Sequence, residues 1–360
     1  MLMTHLARRL RVRSMHTWCL PEKGTRLTGE SGRSYLICDH SPAVWSVGRA
    51  IDARDKQSSF TIFQPRSEAS ESDQALELKG FQEKIKIANM LKGSQFIWQQ
   101  VDAIRPTSEN DAPRLVFEHL GSQLSEVYID RKLTRQEIKS IMKSTLLGLQ
   151  HIEQKGFIFT DMTPANIYLQ NDGASSLRPA ELTTKFGPID QLDKPFTWRE
   201  SDEVDMNPFV APEILFGKAF SYPTHIWAWG VILCHLLESR AAWISNRLES
   251  LHMGGIFQDY GRRWDGRWAC DEYWWLCEMV DDFNIDSCEY YDDCDMPYIE
   301  IFKPCKHDWK ERLRIKGLRE DDVCFLDWLL DPNPETRPTP EQVLQTGYLE
   351  WNEEDTEDEP

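Results

Sequence analysis

The chain has 360 residues, of which 41% are hydrophobic and 28% are charged, a composition typical of a soluble globular protein with a large core. Its 59 acidic and 41 basic residues give a net charge of −18, which disfavours binding to nucleic acid or anionic lipid and favours a basic partner. No apolar run reaches the roughly 18 residues of a membrane-spanning helix. The nine cysteines include no C-x-x-C pair, so reduced thiols are favoured over a zinc site.

The two ends of the chain carry opposite charge. Residues 1–24 are basic and contain no acid before Glu22. Their arginines are Arg8, Arg9, Arg11 and Arg13. This pattern fits a mitochondrial presequence, but a disordered basic tail is favoured. The protein is accordingly expected to be intracellular, in the cytoplasm or nucleus. Residues 351–360 include the run EEDTEDEP, whose acids are expected to be solvated in a floppy tail.

Residues 25–120 are predicted to form a small lobe made mostly of sheet. Short β-prone runs between polar turns predict strands at 34–38, 43–53, 59–64, 96–103 and 114–117. A polar connector at 65–74 leads to 77–91, where apolar residues recur at the helical period. The first lobe is therefore expected to be a sheet with one helix.

From Thr134 the pattern changes to that of helices. Apolar residues at the helical period predict a long helix that ends near Gly156. Further helices are predicted at 224–237, 321–330 and 340–346, and the last has Pro340 in its first turn. Residues 121–350 are therefore expected to form a larger, helical lobe.

The most informative stretch is GFIFTDMTPANIYL at 156–169. It places Asp161 and Asn166 in one loop between apolar anchors. The stretch resembles the catalytic loop of protein kinases, in the form found in SR-protein kinases and related fungal kinases. The resemblance implies a two-lobed α+β kinase fold that uses ATP and magnesium, with Asp161 as the catalytic base and Asn166 on the metal.

Further segments follow in the order of the kinase family. RLVFEHL at 114–120 resembles the strand and hinge that receive adenine, which implies nucleotide contacts at Glu118 and Leu120. FQEKI at 81–85 resembles the helix whose acid, here Glu83, pairs with the nucleotide-binding lysine.

The resemblance also covers the second lobe. APE at 211–213 resembles the end of the activation segment, and DPNPETR at 331–337 resembles a late segment of the kinase domain. In the family the Glu and the Arg of these segments pair, which implies a buried ion pair between Glu213 and Arg337.

Several catalytic positions depart from the family pattern. Phe63 stands where the nucleotide-binding lysine belongs, and Lys185 stands where the D-F-G motif has its magnesium-binding Asp. Of the glycine-rich loop only Gly48 remains, so the backbone lacks the close approach to phosphates that several glycines allow. The family's catalytic-loop His and Lys, and its buried Asp at the start of a helix, are replaced by Phe159, Thr163 and His225.

The charge of Lys185 opposes metal binding. Two unit charges about 4 Å apart interact by about 4 kcal/mol at an effective dielectric near 20. A divalent ion facing Lys185 would therefore be repelled by up to roughly 8 kcal/mol, and about 1.4 kcal/mol already corresponds to tenfold in occupancy. Two alternatives stay open: Lys185 replaces the metal at the phosphates, or Arg49 replaces the missing lysine. The favoured interpretation is that Lys185 points to solvent and Arg49 is a surface residue of a strand.

Acids and aromatic rings are concentrated at 260–300. The acids Asp281, Asp282, Asp292, Asp293 and Asp295 lie in a segment that resembles the region where SR-protein kinases bind Arg-rich peptides. A basic peptide could bind here through Arg–carboxylate pairs and Arg–Trp stacking. The alternative is an insertion whose Trp residues pack on the lobe while the acids stay solvated.

Three functions follow from these observations, in order of preference. The first is a pseudokinase or very weak kinase that acts through binding or scaffolding. The second is an active Ser/Thr kinase that phosphorylates basic, Arg/Ser-rich proteins. The third, a small-molecule phosphotransferase, is disfavoured because Glu213 and Arg337 belong to a peptide-binding architecture.

Overall fold

The chain divides into two compact units. In the computed structural model the first unit comprises Met1–Lys92 and Gln99–His119, and the second comprises Gly93–Trp98 and Leu120–Pro360. The residues that the structure describes are 20–40, 46–55, 58–65, 81–82, 85–86, 89–108, 111–159, 161–169, 180–182, 186–188, 208–247, 272–296, 308–352 and 355. The short segment at 93–98 thus belongs to the second unit, although the sequence suggested one boundary after residue 120.

The first unit is built on an antiparallel sheet with the strand order β1-β2-β3-β4-β6-β5. Its strands are β1 Arg26–Thr28, β2 Ser34–His40, β3 Ser46–Asp52, β4 Ser59–Phe63, β5 Gln100–Ile104 and β6 Arg114–Glu118. Strand β4 shows why these segments form strands, since its buried and partly exposed residues alternate. Phe60 and Ile62 on its buried side join a core with Tyr35 and Val116.

The two edges of this sheet are joined through the turn between β1 and β2. The backbone N–H of Glu30 donates to the carbonyl oxygen of Ala103 in edge strand β5, at 2.8 Å. The carboxylate of Asp102 accepts from the backbone N–H of Ser31 at 3.1 Å and from the hydroxyl of Tyr35 at 2.9 Å. Burial and the neighbouring Asp102 raise the pKa of Tyr35, so its hydroxyl stays a donor. These bonds curl the sheet and cover the polar groups of its edges.

The second unit is mainly helical. Its helices are α1 Leu124–Asp130, α2 Arg135–Gln154, α3 Pro212–Leu215, α4 Tyr222–Ile244, α5 Glu272–Phe283, α6 Trp309–Lys316, α7 Glu320–Leu329 and α8 Pro340–Gln345. Two small sheets accompany them, with the strand orders β10-β9-β7 and β11-β8. Their strands are β7 Ser122–Gln123, β8 Phe157–Phe159, β9 Ile167–Leu169, β10 Ala180–Leu182 and β11 Phe186–Pro188.

Helices α2 and α4 form the centre of this unit. Helix α2 begins with a capping box, in which Thr134 and Glu137 satisfy each other's backbone N–H groups. Helix α4 is buried over most of its length, as expected for a helix that is apolar all round. The indole N–H of Trp229 on α4 donates to the carbonyl oxygen of Met142 at 3.1 Å and to the hydroxyl of Thr145 at 3.0 Å. The two helices are thereby fixed against each other.

The predicted order of a sheet-rich part followed by a helical part is confirmed. The predicted helix at 77–91 is helical at its described positions 81–82, 85–86 and 89–90. Helices α1, α3, α5 and α6 were not predicted. No helix within the described part of the chain is both long and apolar enough to cross a membrane.

The turn at Gly29 gives a test of the curled sheet. A Cβ atom at this position would lie 1.9 Å from Oδ2 of Asp102. Gly29→Ala must therefore displace Asp102, and we expect a loss of at least about 2 kcal/mol in the free energy of unfolding. Urea unfolding followed by circular dichroism measures this loss. The exposed neighbour provides the control, since Glu30→Gln should cost less than about 0.5 kcal/mol; equal losses in both variants would contradict the packing of the turn.

Candidate active site

The loop singled out in the sequence lies between two short strands in the second unit. Strand β8, before the loop, pairs with β11, and strand β9, after the loop, pairs with β10. Within the loop, Pro164–Asn166 forms a single 3-10 turn that leads into β9. Ile158, Met162 and Ile167 anchor the loop in the core, each with at most 4% of its surface exposed. The apolar residues that flank the motif therefore hold its polar residues in a fixed frame.

Asn166 braces the backbone of this loop. Its side chain is buried, and Nδ2 donates to the carbonyl oxygen of Asp161 at 2.8 Å and to Oγ1 of Thr163 at 3.2 Å. Since the nitrogen is committed to these donations, Oδ1 is the atom of this side chain that could bind a cation. The structure thus brings Asp161 and Asn166 together, as the motif predicts.

His225 holds the loop from the start of α4. The backbone N–H of Phe159 donates to Nε2 of His225 at 2.7 Å, and Nδ1 of His225 lies 3.4 Å from Oε1 of Glu153. Nε2 must be unprotonated to accept, so the ring carries its proton on Nδ1 and donates it towards Glu153. His225 is therefore a neutral acceptor at a position where the family pattern has a carboxylate.

The ion pair predicted between Glu213 and Arg337 is present. Nη1 and Nη2 of Arg337 lie 2.8 Å and 3.0 Å from the two carboxylate oxygens of Glu213, and both side chains have 0% of their surface exposed. Thr224 donates to the same carboxylate at 3.0 Å, and Arg337 also donates to the carbonyl oxygen of Pro223 at 2.9 Å. The guanidinium group lies over the ring of Trp227, 5.3 Å from its centroid. A buried pair is stable only when its remaining donors and acceptors are satisfied, as they are here.

Phe63, which the sequence resemblance aligns with the nucleotide-binding lysine, belongs to an aromatic pair in the first unit. It lies on the same sheet face as Phe117, and their rings meet edge to face with centroids 5.4 Å apart. Glu118 ends strand β6 and is exposed, whereas Leu120 is buried in the second unit. The ring of Phe63 offers no charge and no hydrogen bond to a phosphate.

Arg49 does not take the place of that lysine. Strand β3 sets Arg49 opposite Thr61, whereas Phe63 lies opposite Ser46. Nη2 of Arg49 forms an ion pair with Oδ2 of Asp39 at 3.0 Å. Hydrogen bonds from Arg49 and Lys23 hold the pKa of Asp39 below its usual value. The charge of Arg49 is therefore matched by a carboxylate on its own sheet.

Two predicted site residues, Glu83 and Lys185, lie outside the described residues. Sequence reasoning also missed two contributors to the site, namely Glu153 and Thr224. They are identified only by their contacts in space with His225 and Glu213, because no local sequence pattern marks them.

Of the two positions where the family pattern has a magnesium ligand, the structure describes Asn166, while residue 185 lies outside the described residues. Among the described residues no group of three or more His, Cys, Asp or Glu side chains could hold a metal ion. Asn166 supplies one neutral oxygen, whereas magnesium in proteins is held by carboxylates together with phosphates and water. Asn166 by itself is therefore an incomplete magnesium site.

The acidic stretch divides into two sets of side chains. The first set is held in ion pairs: the side chain of Asp282 is 5% exposed and accepts from Arg312 at 3.2 Å and 2.5 Å, and Asp293 pairs with Lys218 at the surface. The second set is Asp281, Asp292 and Asp295, which are exposed. Burial and the neighbouring Asp282 and Asp286 raise the pKa of Asp281, which indicates negative charge that is not fully balanced.

A curled antiparallel sheet unit, a helical unit and a loop with Asp161 and Asn166 define a protein of the kinase class. A family model described as the protein kinase domain matches residues 46–349. The chain therefore belongs to the protein kinase domain family.

The curated relatives carry kinase names at low identity. The chain is 29% identical over 141 residues to the serine/threonine-protein kinase shk1/pak1 of Schizosaccharomyces pombe, covering 39% of this chain and 20% of the relative. It is 24% identical over 240 residues to cyclin-dependent kinase C-2 C of Arabidopsis thaliana, covering 65% of this chain and 32% of the relative. The chain thus spans a third or less of the length of these relatives.

The buried ion pair predicts a large effect of a single substitution. Glu213→Gln keeps the size of the side chain but leaves the charge of Arg337 without a counter-charge, so we expect a loss of about 3–5 kcal/mol in the free energy of unfolding. Urea unfolding of the whole chain measures this loss. Glu335→Gln, at an exposed position in the same segment, should cost less than about 0.5 kcal/mol. A loss below about 1 kcal/mol for Glu213→Gln would show that the pair does not support the fold.

Proposed function

We propose that this kinase-family chain is a pseudokinase, which acts by binding and scaffolding and not by magnesium-dependent phosphoryl transfer. The observation that carries the proposal is the edge-to-face pair of Phe63 and Phe117 at the position of the nucleotide-binding lysine. Phosphoryl transfer depends on positioning and on neutralising phosphate charge. An apolar ring pair supplies no positive charge for that neutralisation.

The sequence adds a second argument at the metal. Lys185 stands where the family has its magnesium-binding Asp, which replaces attraction for a divalent cation with repulsion. Asn166 is neutral and cannot compensate. Loss of both the lysine and the carboxylate removes charge neutralisation from the phosphates and from the metal.

The polar residues that brace the loop of Asp161 have structural roles that do not require catalysis. Asn166 donates to the backbone of Asp161, and His225 accepts from the backbone of Phe159. A loop held in this way keeps its conformation without nucleotide. Retention of Asp161 and Asn166 is therefore compatible with a binding role.

Phosphoryl transfer by the purified chain tests this proposal. With labelled ATP and magnesium we expect no transfer to the chain, or to an Arg-Ser peptide, above the level of the Asp161→Asn variant. Thermal unfolding with ATP, with and without magnesium, should show no shift in the melting temperature. Transfer by the unaltered chain that Asp161→Asn abolishes would establish the alternative, an active Ser/Thr kinase.

For the binding role we propose a basic peptide as the ligand. The support is the exposed set Asp281, Asp292 and Asp295, together with the raised pKa of Asp281 beside other acids. Asp282 pairs with Arg312 in the interior and Asp293 pairs with Lys218 at the surface, so both are left out of the proposed surface. Arginine side chains suit such a surface because they form two hydrogen bonds to one carboxylate.

An Arg-Ser peptide tests this surface. The variant Asp281→Asn/Asp292→Asn/Asp295→Asn should bind the peptide about tenfold more weakly at low salt, since each exposed pair contributes roughly 0.5 kcal/mol. Fluorescence anisotropy with a labelled peptide measures the affinity. A matched control removes three exposed charges elsewhere, in Asp130→Asn/Glu335→Gln/Glu341→Gln. Equal affinities of the two variants would attribute the binding to net charge alone and refute the surface.

A further inference from the structure

Two cations on α2 lie buried beneath the last described residues. Arg135 and Lys139 are one turn apart, so they share one face of the helix. Their side chains are only 5% and 8% exposed. Buried cations require partners, and here the partners come from α7 and from the segment after α8.

Asp322 of α7 fixes the first cation. Its two carboxylate oxygens accept from Nη1 and Nη2 of Arg135, each at 2.8 Å. The hydroxyl of Tyr348 also donates to Asp322, at 2.5 Å. This bidentate ion pair sets the plane of the guanidinium group, and it directs Nε of Arg135 to the same side as the amine of Lys139.

Asp355 accepts from both buried cations. Its Oδ1 accepts from Nε of Arg135 at 3.1 Å, and its Oδ2 accepts from Nζ of Lys139 at 2.7 Å. The backbone N–H of Asn352 donates to Oδ2 at 3.0 Å. Burial acts to raise the pKa of Asp355, but the hydrogen bonds from Lys139, Asn352 and Arg135 outweigh it and hold the pKa below its usual value. The expectation that the acids of 351–360 are all solvated is therefore wrong for Asp355, because two buried cations need its charge.

Beyond Glu350, the described residues other than Asp355 are exposed. Trp351 is 53% exposed and Asn352 is also exposed, whereas the side chain of Asp355 is 1% exposed. Before Trp351, Leu349 is buried, and the carbonyl oxygen of Glu350 accepts from Nζ of Lys139 at 3.0 Å. From Trp351 onward, Asp355 is therefore the one described residue that is anchored by burial, in the way that one side chain anchors a short peptide in a pocket.

We propose that Arg135 and Lys139 form a carboxylate-binding socket, defined by Nε of Arg135 and Nζ of Lys139, which Asp355 occupies within the chain. Because Asp322 fixes Arg135 independently of Asp355, the socket keeps its shape when Asp355 leaves. It then accepts an Asp-bearing acidic peptide from a partner protein.

A peptide competition experiment tests the socket in the full chain. The probe is a fluorescent peptide with the sequence of residues 348–360, and the matched control peptide carries Asn in place of its Asp355 alone. We expect saturable binding to the Asp355→Asn chain and at least tenfold weaker binding of the control peptide. The unaltered chain should also bind the probe at least tenfold more weakly, because its own Asp355 competes at high effective concentration.

The double variant Asp355→Asn/Lys139→Met removes the socket's amine. We expect it to bind the probe at least tenfold more weakly than Asp355→Asn does. Equal binding of the two peptides, equal binding by the two variants, or no saturable binding to the folded Asp355→Asn chain would each overturn the proposal.

Hydrogen exchange in the unaltered chain provides a test that needs no variant. If the segment docks through one anchor, the amides of Asn352 and Asp355 exchange at least a hundredfold faster than the buried amides of Ile138 and Met142 in α2. Exchange of all four at one common rate, by unfolding of the whole unit, would overturn the proposal. Neither experiment involves phosphoryl transfer, so its outcome is separate from that of the pseudokinase test.

Discussion

The helical unit depends on the pair between Glu213 and Arg337. Both groups are completely buried, and the cost of removing two charges from water is offset only because their other hydrogen bonds are made. Arg337 contacts Glu213, the backbone at Pro223 and the backbone at Asp331, so one guanidinium joins α3, the start of α4 and the segment after α7. Partners so far apart in the chain come together only when the whole unit has folded. The pair therefore reports on the architecture and not on catalysis.

Scaffold and chemistry are separable in this chain. The loop of Asp161 keeps its internal braces, and His225 takes over the acceptor role of a carboxylate because unprotonated Nε2 can receive the N–H of Phe159. In the first unit the strand register is regular around Phe63, yet the side chain that it presents is an aromatic ring. Hydrogen bonds and strand register can thus keep a fold while the chemistry of single side chains changes.

The large excess of acid is only partly a surface property. Asp282, Asp322 and Asp355 are each buried against Arg or Lys side chains and connect separate elements of the helical unit. For the proposed basic ligand, the available acids are the exposed ones that remain, such as Asp292 and Asp295. Net charge alone does not locate such a surface, because the contacts of each carboxylate decide which residues could take part.

The sequence by itself determined the order of the elements and the family. Alternating burial in β4 and the helical period of α2 are local patterns, and the motif with Asp161 and Asn166 is contiguous, so each can be read without coordinates. The pairing of Glu213 with Arg337 was also accessible, through the resemblance of two short motifs. What tertiary structure decided was the environment of single side chains. Asp355 reaches Arg135 across 220 positions of the chain, and Phe159 meets His225 across 66. No local pattern encodes such contacts, because they exist only after the helices have packed and water has been excluded between them.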